Sequence, residues 1–166
     1  MSKGTIAAVL AISMALSACA TKAPKQLPPD PGTASATEAS TGGPIPGSQA
    51  DFVAFTAGQD TIYFDTDRYN IDSEDAAALA TQAQWLMRYP AKRATIEGHC
   101  DERGTREYNL ALGERRANAA KTYLASLGID ASRLATVSYG KERPVALGSD
   151  EASWAKNRRA VSVTID

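Results

Sequence analysis

The chain has 166 residues, of which 18 are Lys or Arg and 19 are Asp or Glu, so its formal net charge is -1. This length suits one domain of ordinary size, and the balanced charge excludes a bulk attraction to nucleic acid or to an acidic membrane face. Six of the eight prolines lie between Pro24 and Pro46 and the longest charge-free apolar run lies at the N-terminus, so the chain is not one uniform globule.

Residues 1–18 are predicted to be a secretory signal. Lys3 precedes an uncharged apolar run that extends from Ile6 to Leu16, and this run is shorter than the about 20 residues of a membrane-spanning helix. Leu16-Ser17-Ala18-Cys19 resembles the lipobox of bacterial lipoproteins. That resemblance implies cleavage before Cys19 and acylation of its thiol. Because no Asp follows Cys19, we expect the acyl chains to anchor the protein in the outer membrane.

Residues 19–50 are predicted to be the acylated cysteine followed by a disordered tether. Pro, Gly, Ser, Thr and Ala dominate this segment, and Leu27 and Ile45 are its only large apolar residues. Such a composition cannot offset the entropy of ordering by burial. Acylation of Cys19 would leave Cys100 as the only thiol, so no disulfide is predicted.

A folded domain is predicted over residues 51–166, where hydrophobic periodicity returns. The expected elements are a strand at 62–64, a helix from Asp72 or Ser73 to a point before Pro90, a strand at 94–96 that ends at Gly98, a helix at about 106–127 closed by Gly128, a strand at 134–139, a short helix through Trp154 and a strand at 161–165. This order predicts an α+β fold, a two-layer sandwich with the helices on one face of a mixed sheet.

The densest polar cluster is Glu97–Gly104, between the second strand and the long helix. A metal site is disfavoured because one His and one Cys stand adjacent in sequence, and the same adjacency would point His99 away from a Cys100 nucleophile. No metal and no cofactor are predicted. Two alternatives stay open, namely a glycosidase pair of Glu97 and Asp101, and a binding loop at the carboxyl end of a strand.

A stripe on the long helix favours the binding loop. At 100° per residue, about an 80° arc of the helix holds Asn109, Leu112, Arg116, Ala120, Tyr123 and Leu127. A guanidinium on this buried side is costly unless it is paired. Arg116 either forms an internal salt bridge with Asp101 or shares a cleft with it. A shared cleft would suit an amino-acid head group, with the ammonium on Asp101 and the carboxylate on Arg116.

Several motifs in order resemble the OmpA-like peptidoglycan-binding domain, and in particular its branch of peptidoglycan-associated lipoproteins. The motifs are Tyr63-Phe64-Asp65, Gly98–Gly104, Asn109, Leu112, Glu114-Arg115-Arg116-Ala117, Val137-Ser138-Tyr139-Gly140 and Asn157-Arg158-Arg159-Ala160-Val161. The resemblance spans about residues 62–166. It implies non-covalent binding of the meso-diaminopimelate residue of peptidoglycan stem peptides, with Asp101 on the ammonium and Arg116 on the carboxylate. Further pocket residues implied by the resemblance are Phe64, Asp65, Arg103, Asn109 and Leu112.

The resemblance also implies membership of the Tol-Pal system of cell division, with TolB and other Tol proteins as partners. The main hypothesis is therefore a lipoprotein that tethers the outer membrane to the cell wall from the periplasmic side and is not an enzyme. Two alternatives remain, a peptidoglycan hydrolase using Glu97 and Asp101, and a TolB-binding adaptor whose wall binding is incidental. Tyr108 and Trp154 are expected to be core or interface aromatics.

Overall fold

The computed structural model describes residues 43–165. The helices are α1 (Gln49–Phe55), α2 (Ser73–Arg88), α3 (Arg106–Ser126) and α4 (Glu151–Asn157), with a 3-10 turn at Ala131–Arg133. The strands are β1 (Thr61–Tyr63), β2 (Arg93–His99), β3 (Leu134–Gly140) and β4 (Arg159–Ile165). Within the described residues, no helix combines the length and the apolar character that crossing a membrane requires.

The four strands form one mixed sheet in the order β1-β4-β2-β3. The last strand of the chain, β4, lies between β1 and β2 and is antiparallel to both. Strand β3 is parallel to β2, and α3 supplies the crossover that a parallel pair requires. Because β4 is central, the segment that leads into it lies beside the carboxyl end of β2.

The hydrophobic core lies between the sheet and helices α2 and α3. Alternate β2 residues, Ala94 and Ile96, are fully buried beneath the helices, while Thr95 and Glu97 between them are only half-buried, as expected for a sheet with helices on one face. The other buried apolar core residues are Phe52, Ile62, Phe64, Ala78, Leu79, Ala83, Trp85, Leu86, Ala117, Ala120, Leu124, Ile129, Leu134 and Ala160.

Helix α3 approaches β2 most closely at a pair of glycines. A Cβ atom built on Gly98 would lie 2.5 Å from the carbonyl carbon of Gly113 and closer still to its oxygen. Ordinary contacts between carbon atoms lie at about 3.5–4.0 Å. The two backbones can therefore touch only because neither residue has a side chain. This contact fixes the distance between the helix and the strand that together carry the cleft described below.

The predicted α+β class and the predicted order of strands and helices are confirmed. Strand β2 is longer than expected, and β1 ends one residue earlier, at Tyr63. Helix α1 was not predicted, because it is short and Phe52 is its one buried residue, so the sequence carries no helical stripe. The expected signal and Cys19 lie outside the described residues. So does the predicted tether, except for residues 43–50.

Candidate ligand-binding cleft

A cleft of about 270 Å³ opens at the carboxyl end of β2. Its walls are the loop after β1, the loop between β2 and α3, the first turns of α3 and the residue that precedes β4. The lining residues are Thr66, Asp67, Cys100, Asp101, Arg103, Gly104, Tyr108, Asn109, Leu112, Arg116 and Arg158. Three guanidinium groups and two carboxylates therefore surround one cavity.

Arg116 forms the floor of the cleft and is fully buried. Its Nε donates to the carbonyl of Arg68 at 2.9 Å, Nη1 to that of His99 at 2.8 Å, and Nη2 to that of Asp65 at 3.0 Å. Nη1 also lies 3.4 Å from the Cys100 sulfur. Within residues 43–165 no carboxylate oxygen lies within 4.0 Å of this guanidinium, so the alternative of an internal salt bridge with Asp101 is excluded. Carbonyl dipoles hold the side chain without neutralising its charge.

Asp101 lines the same cleft and is paired with two arginines. Arg103 reaches both of its oxygens, with Nε 3.1 Å from Oδ1 and Nη2 2.6 Å from Oδ2. Arg158 Nη1 lies 3.5 Å from Oδ2. Burial acts to raise the pKa of the Asp101 carboxyl, but hydrogen bonds from Arg103 outweigh burial and bring the pKa below its usual 3.8. Asp101 is therefore a carboxylate at neutral pH.

Arg158 is buried between the cleft and α4. Its Nε donates to the carbonyl of Phe64 at 2.9 Å, and its Nη2 donates to Glu151 at 2.6 Å. This network ties the end of β1 to the start of α4. It leaves Arg158 little freedom to move away from Asp101.

The mouth of the cleft is formed by Asp67 and Tyr108. The Tyr108 hydroxyl donates to Asp67 Oδ1 at 3.1 Å, and Asp67 has a φ of 57°, which is uncommon for a residue other than glycine. Asn109 shapes the adjoining loop, because its side-chain amide donates to the carbonyls of Arg103 at 2.7 Å and Thr105 at 3.0 Å. The loop conformation is thereby fixed from α3.

The structure brings five of the predicted site residues together in the cleft. These are Asp101, Arg103, Asn109, Leu112 and Arg116. Phe64 and Asp65 line a neighbouring cavity instead. Phe64 is buried in the core with its ring centroid 5.2 Å from the Arg116 guanidinium carbon, and Asp65 contacts Arg116 through its backbone carbonyl. Both lie behind the cleft, where they position Arg116.

Sequence reasoning missed three cleft residues, Thr66, Asp67 and Tyr108. Tyr108 is not a core aromatic, since the residue is 47% exposed and lines the cleft. Its position one residue before Asn109 was a usable signal. Arg158 belongs to one of the motifs that carry the family resemblance, but its contact with Asp101 has no local signal, because the central placement of β4 brings the two residues together.

The proposed carboxylate pair for hydrolysis is separated by the sheet. Glu97 is not among the cleft residues, and alternation along β2 turns it away from the helices, where its Oε2 lies 3.4 Å from Nε2 of the buried His99. Asp101 has a lowered pKa, whereas a general acid needs a raised one. Across residues 43–165, no three side chains of His, Cys, Asp or Glu converge as metal ligands would.

The sequence model of the OmpA family matches residues 63–158, a range that contains every residue of the cleft. The chain belongs to the OmpA family. The peptidoglycan-associated lipoprotein of Rhizobium meliloti (strain 1021) is 48% identical over 163 residues, which cover 98% of this chain and 89% of that relative.

Two solved structures have a similar fold. The crystal structure of the peptidoglycan-associated lipoprotein from Burkholderia pseudomallei is 50% identical, with a TM-score of 0.62, and the match covers 63% of this chain and 89% of that one. The C-terminal domain of Helicobacter pylori MotB is 18% identical, with a TM-score of 0.60, over 64% of this chain and 84% of that one. At that identity the MotB likeness concerns the fold alone.

Proposed function

We propose that this protein is an outer-membrane lipoprotein that binds peptidoglycan non-covalently and is not an enzyme. The observation that carries the proposal is the cleft, in which the buried Arg116 and the ionised Asp101 face one cavity. Relatives that carry the name peptidoglycan-associated lipoprotein support it. The ligand group that we assign to the cleft is the meso-diaminopimelate residue of a stem peptide.

The donors of Arg116 support a role in binding a carboxylate. A guanidinium has five N–H groups, and the contacts to Arg68, His99, Asp65 and Cys100 use four of them. One N–H on Nη2 remains. A ligand carboxylate at that atom would also supply the counter-charge that the carbonyls lack, and a charged hydrogen bond of this kind contributes about 1.5–3 kcal/mol.

Asp101 supplies the complementary anion in the same cleft. An ammonium and a carboxylate on one carbon atom, as at the end of the diaminopimelate side chain, would fit between these two groups. No bond is made or broken in this scheme. The separation of Glu97 from Asp101 by the sheet argues against the alternative of a peptidoglycan hydrolase, which predicts release of soluble muropeptides over time at some pH.

The proposal is tested by retention of the full-length protein on purified peptidoglycan sacculi. Asp101→Asn keeps the shape of the side chain and removes its charge, so we expect retention to fall at least about tenfold. Arg106→Ala is the matched control, because Arg106 is exposed and pairs with Glu142 outside the cleft. Free meso-diaminopimelate should release the wild-type protein.

Melting curves of all variants must accompany the retention assay, since loss of one member of a buried charge pair also destabilises a fold. Equal retention of folded Asp101→Asn and wild-type protein would contradict the assignment of the cleft. The appearance of muropeptides in the supernatant would contradict the non-enzymatic role.

Membrane anchoring through acyl chains on Cys19 completes the proposed tether. The folded domain would then face the periplasm. Cys19→Ser should release the protein from outer-membrane fractions, because the acyl chains have no other attachment site in this proposal. Persistence of the variant in those fractions would contradict the anchor.

We also propose a place in the Tol-Pal system, with TolB and other Tol proteins as partners. If TolB and peptidoglycan use overlapping surfaces, each should lower the affinity for the other by the same factor. Titration of TolB into the protein with and without a stem peptide measures this coupling. A TolB affinity that is unaffected by the stem peptide would favour separate surfaces and the adaptor alternative.

A further inference from the structure

Both oxygens of Asp101 are already bonded in this structure. Oδ1 accepts from the backbone N–H of Arg103 at 3.1 Å and from its Nε at 3.1 Å, while Oδ2 accepts from Arg103 Nη2 at 2.6 Å and from Arg158 Nη1 at 3.5 Å. These four contacts occupy the acceptor positions of the carboxylate. An ammonium group that binds Asp101 must therefore replace one of the two guanidinium contacts. The identity of the displaced arginine decides which ligands the cleft accepts.

Arg103 is the contact that can be displaced. Its side chain is 39% exposed and stands on the loop between β2 and α3, whereas the side chain of Arg158 is 7% exposed. Arg158 is also held by Phe64 and Glu151. Moving Arg158 would break a buried network, while moving Arg103 breaks only contacts at the cleft mouth.

Arg103 has other contacts that keep it at the mouth when it leaves Asp101. Its guanidinium carbon lies 4.2 Å from the centroid of the Trp154 ring, which is a favourable cation–π geometry. Its Nη2 donates to the Thr66 hydroxyl at 3.2 Å. A guanidinium held in this way remains beside the cavity, with its donors available to a second anion.

We propose that Arg103 makes the cleft selective for a head group that carries both an ammonium and a carboxylate, over one that carries an ammonium alone. This inference rests on the function proposed above. A zwitterionic head group gains an ion pair in this exchange, because its ammonium takes Asp101 while its carboxylate, bound to Arg116, also contacts Arg103. A lysine side chain also takes Asp101 but leaves Arg103 without a carboxylate, so it forms one ion pair in place of the one it breaks and gains none.

Arg103 and Arg116 both favour a ligand carboxylate, but removing Arg103 should change the affinity for a lysine peptide in the opposite direction from removing an attractive group. Arg116 has no carboxylate of the described residues within 4.0 Å, so it acts only by attraction. Arg103 competes with the ligand for Asp101. Removing it should therefore strengthen the binding of a lysine peptide, which the loss of a merely attractive group cannot do.

The test uses two stem tripeptides that differ only in their third residue, meso-diaminopimelate or L-lysine. Calorimetric titration of the full-length protein compares the wild type, Arg103→Ala and the control Arg106→Ala, whose side chain is 62% exposed and lies outside the cleft. In Arg103→Ala we expect the affinity for the lysine peptide to rise about tenfold and that for the diaminopimelate peptide to fall. Arg106→Ala should leave the affinities for both peptides unchanged.

Arg103→Lys provides a second check, because it keeps a cation but loses the planar group that donates to both oxygens of Asp101. The ratio of its affinity for the diaminopimelate peptide to its affinity for the lysine peptide should lie between the ratios of wild type and Arg103→Ala. An unchanged or weaker affinity of folded Arg103→Ala for the lysine peptide would overturn the inference. If the wild type binds the diaminopimelate peptide and only the ratio fails to move, the proposed function stands. If the wild type binds neither peptide, both are overturned.

Discussion

The contact between Gly98 and Gly113 allows a direct test of how the helix and strand hold the cleft. In Gly98→Ala, the new methyl group would lie 2.5 Å from the Gly113 carbonyl carbon, so the backbones must separate by about 1 Å to reach an ordinary contact distance. Neither side can relieve this by rotating a side chain. Such overpacking costs about 3 kcal/mol, at the upper end of the usual range.

A smaller gain opposes this cost. Replacing a strand glycine by alanine recovers roughly 0.5–1 kcal/mol of chain entropy, which leaves a net destabilisation of about 2 kcal/mol. For a domain of this size that corresponds to a fall in Tm of about 8 °C. Calorimetric melting of wild type and Gly98→Ala measures it. Gly43→Ala is the control, because a Cβ there meets no atom within 4 Å.

The same variant should also lose retention on peptidoglycan below its melting temperature, because α3 carries Asn109, Leu112 and Arg116 away from the carboxyl end of β2. A Gly98→Ala protein that melts at the wild-type temperature would refute the argument that bare backbone contact sets the spacing. A destabilised variant with full retention would show that the cleft tolerates the shift.

Three further predictions concern residues outside the Gly98 contact. Arg133→Ala should lower the unfolding free energy by about 2–4 kcal/mol, measured by urea denaturation, because its side chain donates to the carbonyls of Leu86 and Tyr89 at the end of α2 and of Lys92 in the loop that follows. Burial raises the pKa of Asp75 above 3.8, so its ionisation costs stability as pH rises. Asp75→Asn, whose amide oxygen still accepts from the Tyr63 amide, should therefore melt higher than wild type at pH 7 and converge with it near pH 4; a lower Tm at pH 7 would contradict this. Burial raises the pKa of the Cys100 thiol to about 11, so in a Cys19→Ser chain iodoacetamide should react slowly at pH 8 and rapidly once the chain is unfolded. Rapid reaction of the folded chain would contradict the burial.

The buried stripe of α3 and the position of the loop between β2 and α3 were predictable, because both follow from the local periodicity of the flanking elements. The buried side of α3 includes Asn109, Leu112, Arg116 and Ala120, as the wheel predicted. The partners of Arg116 were not predictable. They are backbone carbonyls from the loop after β1 and from the end of β2, and only the folded chain brings carbonyls of distant segments to one guanidinium. Sequence reasoning considered a carboxylate partner because a sequence identifies charged side chains but does not show which backbone carbonyls will lie near them.

The order of the strands explains the contact between Arg158 and Asp101. A sequence of alternating strands and helices does not reveal that β4 inserts between β1 and β2. That insertion puts Arg158 next to Asp101 and α4 next to the cleft. The role of Trp154 as a platform for Arg103 follows from the same placement, since 50 residues of chain separate the two in sequence.

If the chain links the membrane to the wall as proposed, helix α1 has a mechanical consequence. Any pull from the N-terminal end enters the described domain beside α1, which is held by the ring of Phe52 against Trp85 at 5.1 Å and by hydrogen bonds from Thr164 to Gln49 at 2.7 Å. These contacts can detach one after another. Unravelling the 7 residues of α1 would lengthen the linkage by about 12 Å, while α3 and β2, which hold the ligand, remain folded. The helix would then absorb a transient load before the load reaches the cleft.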